Sequence, residues 1–291
     1  MKTTKQIVCI LICLLINQLA QTQIISNSTP ITENGEYSTP VWSPKGDKIL
    51  ITNHHNSELL IVDLKNKNKI QSIKSGDGIG YLANWSDDGK KIIFREKPLQ
   101  GYFADVKVKS IDITTKNEKF ENDIHPDNTK FEPKTKSGEK LSVYINLETT
   151  KLEVKKGTNG KPQTITKEEG QFYHPLISPN GKMVAVHEGA SIYIYDLTGN
   201  ENRKYAGNGL VTAWLSDSSA IITFEDKSND GHTITSSDLF LTYIQSLKKT
   251  QLTFSEDIIE MYADISPNGK KIAYADEKSG KIFIADFNLN K

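Results

Sequence analysis

Cysteine is almost missing from this chain. The 291 residues include two, Cys9 and Cys13, and both lie in the first twenty positions. Beyond that point no disulfide framework or cysteine-held zinc is available, so a core must carry the stability. An excess of either charge sign is also missing, since Lys+Arg and Asp+Glu are both 36. That excludes the basic surplus of a nucleic-acid binder and gives no electrostatic reason for docking on an anionic membrane. The unbroken apolar run Ile7–Ile16 is ten residues long, too short to cross a bilayer as a helix. Beyond the N-terminal segment no long helical period appears, which excludes a helical bundle.

The N-terminus has the pattern of an export signal. Lys2 and Lys5 precede the apolar run, and the polar stretch Asn17–Gln21 follows it. Cleavage after Ala20 is expected, giving residues 1–20 as signal and 21–291 as one domain in the periplasm or outside the cell. An uncleaved membrane anchor is the competing reading. Lipid attachment at either cysteine needs a small preceding residue, and Val8 and Ile12 are not small.

A repeat dominates the remainder. Trp42-Ser43-Pro44-Lys45-Gly46-Asp47-Lys48-Ile49 returns as Trp85-Ser86-Asp87-Asp88-Gly89-Lys90-Lys91-Ile92 and as Ile177-Ser178-Pro179-Asn180-Gly181-Lys182. Later copies begin at Trp214 and Ile265. The anchors are spaced 43, 92, 37 and 51 residues apart. The double-length gap is expected to hide a degenerate unit around Lys136–Ile145, giving six units of blade length. In each, the Ser-Pro-x-Gly tetrad reads as a tight turn, since Pro presets φ and Gly accepts a positive one. An apolar second strand follows (Ile49–Ile51, Ile92–Phe94), then a third such as Leu59–Leu64, and in places a fourth such as Gln163–Thr166. The last unit runs out after its third strand. Gln23–Ser26, left over ahead of the first anchor, is expected to supply the outer strand of the last blade and close the ring. The fold expected is all-β: a six-bladed β-propeller of four-stranded antiparallel blades, closed by an N-terminal strand.

Ser266-Pro267-Asn268-Gly269-Lys270-Lys271-Ile272-Ala273-Tyr274, with Ile282-Phe283-Ile284-Ala285-Asp286, resembles the TolB-type propeller repeat, and the resemblance covers roughly residues 24–291. It implies a propeller and leaves function open, since the repeat occurs in translocation proteins, peptidase propellers and other secreted proteins. The α/β domain of TolB itself has no counterpart before the first repeat. A hydrolase domain like that of propeller peptidases is not expected, since no Gly-x-Ser-x-Gly elbow occurs in these 291 residues.

Candidate chemistry is sparse. The six histidines were compared at equivalent repeat positions. Three residues before the anchor stand Thr39, Leu82, His174, Val211 and Tyr262; six after the turn Gly stand Thr52, Arg95, His187, Phe224 and Ala275. One histidine per row predicts packing or surface histidines and no metal site. His54 and His55 are adjacent, so in a strand they would face opposite ways. Trp42, Trp85 and Trp214 share one repeat position and are expected to pack between blades, with ligand stacking as the alternative. Asp63, Asp112, Asp196 and Asp286 end third strands and are read as turn-bonding residues. One row stands out: Asn53, Glu96, Glu188, Glu225 and Asp276, seven after the turn Gly. With Tyr81, Tyr173, His174 and Tyr262, which enter first strands on the same face, Glu96, Glu188, Glu225 and Asp276 form the expected binding site. Four close carboxylates there would favour a cation or basic segment. The function expected is a non-catalytic binding platform for a protein or peptide, monomeric, without cofactor, although a bound cation such as calcium is compatible. The alternatives are a lyase or glycan-processing propeller using pore-mouth carboxylates and His174, and an envelope component related to TolB.

Overall fold

The structure, a computed structural model, describes residues 24–33, 35–96, 106–126, 138–157, 159–197 and 203–289. The expected signal lies outside these residues. After β1 (Ile25–Pro30), blade one comprises β2 (Tyr37–Trp42), β3 (Lys48–Asn53), β4 (Glu58–Asp63) and β5 (Lys69–Ser75). Blade two comprises β6 (Asn84–Trp85), β7 (Lys91–Glu96), β8 (Lys107–Asp112) and β9 (Glu118–Phe120). Blade three has β10 (Leu141–Ile145), β11 (Leu152–Lys156) and β12 (Gln163–Thr164). Blade four is β13 (Phe172–Ile177), β14 (Met183–Glu188), β15 (Ser191–Asp196) and β16 (Lys204–Asn208). Blade five is β17 (Leu210–Trp214), β18 (Ala220–Ser228), β19 (Ile234–Tyr243) and β20 (Lys249–Gln251). Blade six takes β21 (Glu260–Ile265), β22 (Lys271–Asp276) and β23 (Lys281–Phe287) from the C-terminal end and β1 from the N-terminal end, in the order β1-β23-β22-β21.

The fold is a six-bladed, all-β propeller of antiparallel sheets. Blade three shows three strands among the described residues; an innermost strand ahead of its Ser137-Gly138 turn would fall in 127–137, outside them. Closure is as expected: Ile25 pairs with Phe287, Ser26 with Asp286 and Thr29 with Ile284.

Burial follows position in the blade. The second strands β3, β7 and β14 are buried at four consecutive residues, because a neighbouring blade covers each face. Outer strands such as β9 are exposed throughout. The apolar clusters are therefore seams between blades. One joins Leu50, Leu59 and Ile61 of blade one to Trp85, Ile92 and Phe94 of blade two. Another joins Ala273, Ala275 and Ile282 of blade six to Trp42, Ile49 and Ile51 of blade one.

The repeat residues have structural work. In the turn, Gly46 N–H donates to the Ser43 carbonyl (2.8 Å) and Lys48 N–H to the buried Ser43 Oγ (3.0 Å), and the other Ser-x-x-Gly turns do the same. Gly46 sits at φ 67°, and in blade five Ser218 takes that place at φ 63°. Each tryptophan is buried and donates its indole N–H to the preceding blade: Trp85 to Val41 O (3.0 Å), Trp214 to Leu176 O (2.9 Å) and Trp42 to Asp264 O (3.2 Å). Asp63 and Asp112 accept backbone N–H groups of the turns that follow them. Asp286 instead holds Lys271 and Asn27.

Candidate functional site

The innermost strands do not run straight. In β2, β13 and β21 the pairing register shifts by one residue, with two unpaired residues on the inner strand opposite one on its partner, between Ser38 and Val41, Tyr173 and Leu176, and Met261 and Asp264. The first residue inside each bulge is left-handed: Thr39 (φ 50°), His174 (φ 50°) and Tyr262 (φ 52°). Leu82 (φ 53°), at the same repeat position in blade two, does likewise. Side chains larger than glycine there carry a cost of about 1–3 kcal/mol each, and such strain concentrates at functional sites. Pro40 and Pro175 occupy the second bulge position, where a backbone N–H would have no ladder partner.

All four left-handed residues line one cavity of about 490 Å³ on the propeller axis. Its wall comes from blades one, two, four, five and six. It opens on the face formed by the loops between second and third strands, through His54, Asn56 and Glu277. Tyr81 and Tyr173 stand there 56% and 45% exposed. The Tyr173 hydroxyl donates to Gly189 O (2.7 Å), and its ring stacks on His187 with centroids 5.1 Å apart. His54 Nδ1 lies 3.6 Å from Glu277. Asp264 accepts the Trp42 backbone N–H (2.8 Å). Thr212 contributes a hydroxyl that is buried without a hydrogen-bond partner.

Behind this wall lies a second polar layer. His187 is fully buried, its ring 5.7 Å from that of His174. Burial, and then the neighbouring His174, push the His187 pKa down to about 3, so the ring is neutral. Its Nε2 accepts a long bond from Val211 N–H (3.4 Å), while Nδ1 has no partner. Burial likewise pushes His174 down, a bond to the Val211 backbone opposes this, and the Arg95 charge adds to it. Arg95, also buried, donates to the carbonyls of Leu82 (2.5 Å), Tyr81 (3.4 Å) and Pro126. It thereby holds the left-handed turn at Leu82 in place.

The eight residues expected to form a site divide in two. Tyr81, Tyr173, His174 and Tyr262 line the cavity; Glu96, Glu188, Glu225 and Asp276 do not. The expected ring of mutually repelling carboxylates is not formed, because each is bound within its own blade. Glu96 meets Lys109 (2.6 Å), Glu188 meets Arg203 (2.5 Å) and Glu225 meets Lys249. Asp276 is buried and accepts the N–H groups of Ile259 (3.0 Å) and Lys278 (3.1 Å) and the Ser279 hydroxyl. Two other acids, Asp264 and Glu277, are the ones that reach the cavity. Asp264 could have been noticed: one residue before the anchor the other units carry Val41, Asn84, Leu176 and Ala213. The histidine rows held one histidine each, yet β13–β14 pairing sets Tyr173 opposite His187 and so brings His174 and His187 together across rows.

Among solved structures, TolB from Agrobacterium tumefaciens is similar at 13% identity, over 87% of this chain and 91% of that one, with a TM-score of 0.55. The β-propeller domain of Cps50 (Swd1) from Myceliophteria thermophila is similar at 11% identity, over 91% and 99%, with a TM-score of 0.58. An oligogalacturonate lyase in complex with manganese matches at 13% identity, over 89% and 79%, with a TM-score of 0.49. The likeness is one of fold. No family model and no curated protein matches the chain.

Proposed function

We propose that this protein is an exported propeller that works by binding, holding a partner polypeptide on its tyrosine-bearing face without catalysing a reaction on it. The observation that carries this reading is the central cavity. Four strained, left-handed positions line it, and exposed tyrosines stand at its mouth, where large rings would otherwise be buried. On the opposite face the described Ser-Pro-x-Gly and Asp turns are explained by backbone geometry. Export rests on the Lys2/Lys5 and Ile7–Ile16 pattern, and the fold shared with TolB is compatible with an envelope role. Capture from an envelope extract, comparing the unaltered protein with a Tyr81→Ser/Tyr173→Ser double variant, tests the reading. A partner retained by the former and lost by the latter, with unfolding midpoints unchanged, supports it. A partner held equally by both places the binding surface elsewhere.

One observation favours a second reading, an enzyme acting on glycans. His174 is a neutral imidazole that lines the cavity, with His187 and Arg95 behind it, and a neutral imidazole is suited to proton abstraction. Turnover of oligosaccharides that disappears in His174→Ala would favour this reading over the first.

A further inference from the structure

The described residues that line the cavity include Asp264 and Glu277 and no lysine or arginine. This is notable in a chain whose charges balance at 36 and 36. Arg95, behind the wall, already donates to three carbonyls. Elsewhere on this face the carboxylates of Glu96, Glu188 and Glu225 each have a lysine or arginine of their own blade. Among the described residues the ion-pair partner of Glu277 is His54, at 3.6 Å, a side chain that carries charge only when protonated. The cavity also offers the faces of Tyr173 and Tyr262 and the unpartnered Thr212 hydroxyl, a ready acceptor. Carboxylates, aromatic faces and a hydroxyl acceptor, with no competing cation in the described wall, are the complement of an alkylammonium or guanidinium group. The apolar part of the lining, Leu82, Val211 and Leu176 among it, suits the methylene stem of such a side chain.

We propose that the cavity receives a lysine or arginine side chain of the bound polypeptide, its cation directed to Asp264 and Glu277 and its stem packed against Tyr173 and Tyr262. This rests on the reading of the cavity as a polypeptide-binding site and names the residue class that the site selects. His54 then marks where the pocket could be closed from within. A lysine in its place would bring a permanent cation to Glu277 and compete with the guest.

The test uses blocked pentapeptides, glycine throughout except for a central arginine, lysine, norleucine or glutamate, titrated into the full mature chain while backbone amide resonances are followed. The arginine and lysine peptides should shift the amides of Asp264, Glu277 and Tyr173, with dissociation constants at least about tenfold below that of the norleucine peptide. The glutamate peptide should shift none of them. In Asp264→Asn/Glu277→Gln, in which Asn can still accept the Trp42 N–H, the preference over norleucine should fall to within about twofold. His54→Lys should abolish the arginine response while leaving the unfolding midpoint unchanged. If the norleucine peptide binds the same amides as tightly as arginine, the charge selection is wrong although the cavity still binds polypeptide. If no peptide shifts a cavity amide, the basic-guest inference fails. If the captured partner also ignores Tyr81→Ser/Tyr173→Ser, the reading of this face as the binding surface fails with it.

Discussion

The seam that closes the ring and the seam between blades two and three are built from different materials. At the closure, backbone and side chains from opposite ends of the chain interlock. β1 pairs with β23, Ile31 N–H donates to Ile282 O (2.8 Å), Ile282 N–H to Thr32 Oγ1 (2.9 Å), and Asn288 N–H to Ile24 O (2.8 Å). Trp42 adds two bonds to Asp264, over an apolar floor of Ile49, Ile51, Ala273 and Ile282. Between blades two and three, the apolar cluster among the described residues is Ile93, Val108 and Ile124, and no described residue of blade three joins it. The described contacts there are Arg95 bonded to Pro126 O, and His125 stacked on Tyr144 with centroids 4.2 Å apart. A ring needs every seam, but it need not make each seam in the same way. The closure draws on ladder bonds and buried surface, whereas the described part of its counterpart shows directed contacts, each lost if one member is lost.

The sharpest way to break this comparison is to remove β1. Deleting residues 24–32 exposes the edge of β23 and strips Ile25 and Ile31 from the core. The unfolding midpoint should fall by roughly 10 °C or more, far beyond the loss of an unstructured tail. A midpoint within a degree or two of the parent would show that blade six stands without its fourth strand.

Arg95→Met comes next. It leaves the carbonyls of Tyr81, Leu82 and Pro126 without this donor and should cost about 2–4 kcal/mol. The damage should also be local. Limited proteolysis should cut within 106–126 before any other part of the domain, whereas cleavage spread evenly over the blades would show that the guanidinium holds no particular seam.

The smallest effect concerns the seam of blades five and six, which is rich in apolar side chains yet contains Glu260, 1% exposed. Burial, aided by the charges of Asp238 and Asp276 and opposed by the Ser255 hydroxyl, raises its pKa from 4.5 to about 7. The folded state therefore holds a proton that the unfolded state gives up, and stability is lost as pH rises from 4.5 towards 7, by at most about 3 kcal/mol. Glu260→Gln should match the parent near pH 5 and melt several degrees higher at pH 8. An equal difference at both pH values would assign the effect to packing rather than to the carboxyl.

The sequence made the architecture legible because turn chemistry and strand period are local. Ser43, Gly46 and Asp112 are explained within a few residues, and the orphan strand at Ile25 could be matched to the short last blade by counting. The shared position of Trp42, Trp85 and Trp214 likewise pointed to the seams. The site was legible only in part. Tyr81, Tyr173, His174 and Tyr262 could be placed at the mouth from topology. The acids could not, since whether Glu188 faces a partner or Arg203 depends on where a residue fifteen positions later comes to rest. The left-handed bulges leave no mark in residue type. Thr39, Leu82 and Tyr262 are not what local preference would place at positive φ, and only His174 is of a type enriched there.

The indole bonds have a direction. Trp85 and Trp214 reach back to acceptors 44 and 38 residues earlier, which a chain emerging from its N-terminus has already made. Trp42 reaches 222 residues forward, to an acceptor that comes almost last. During synthesis, then, later blades can be seated one upon another, while the first carries an unanswered tryptophan beside a strand whose mate does not yet exist. Until blade six arrives, the Trp42 ring, the open edge beside it and the apolar face of blade five around Phe224 and Leu239 all stand uncovered, and one event covers all three.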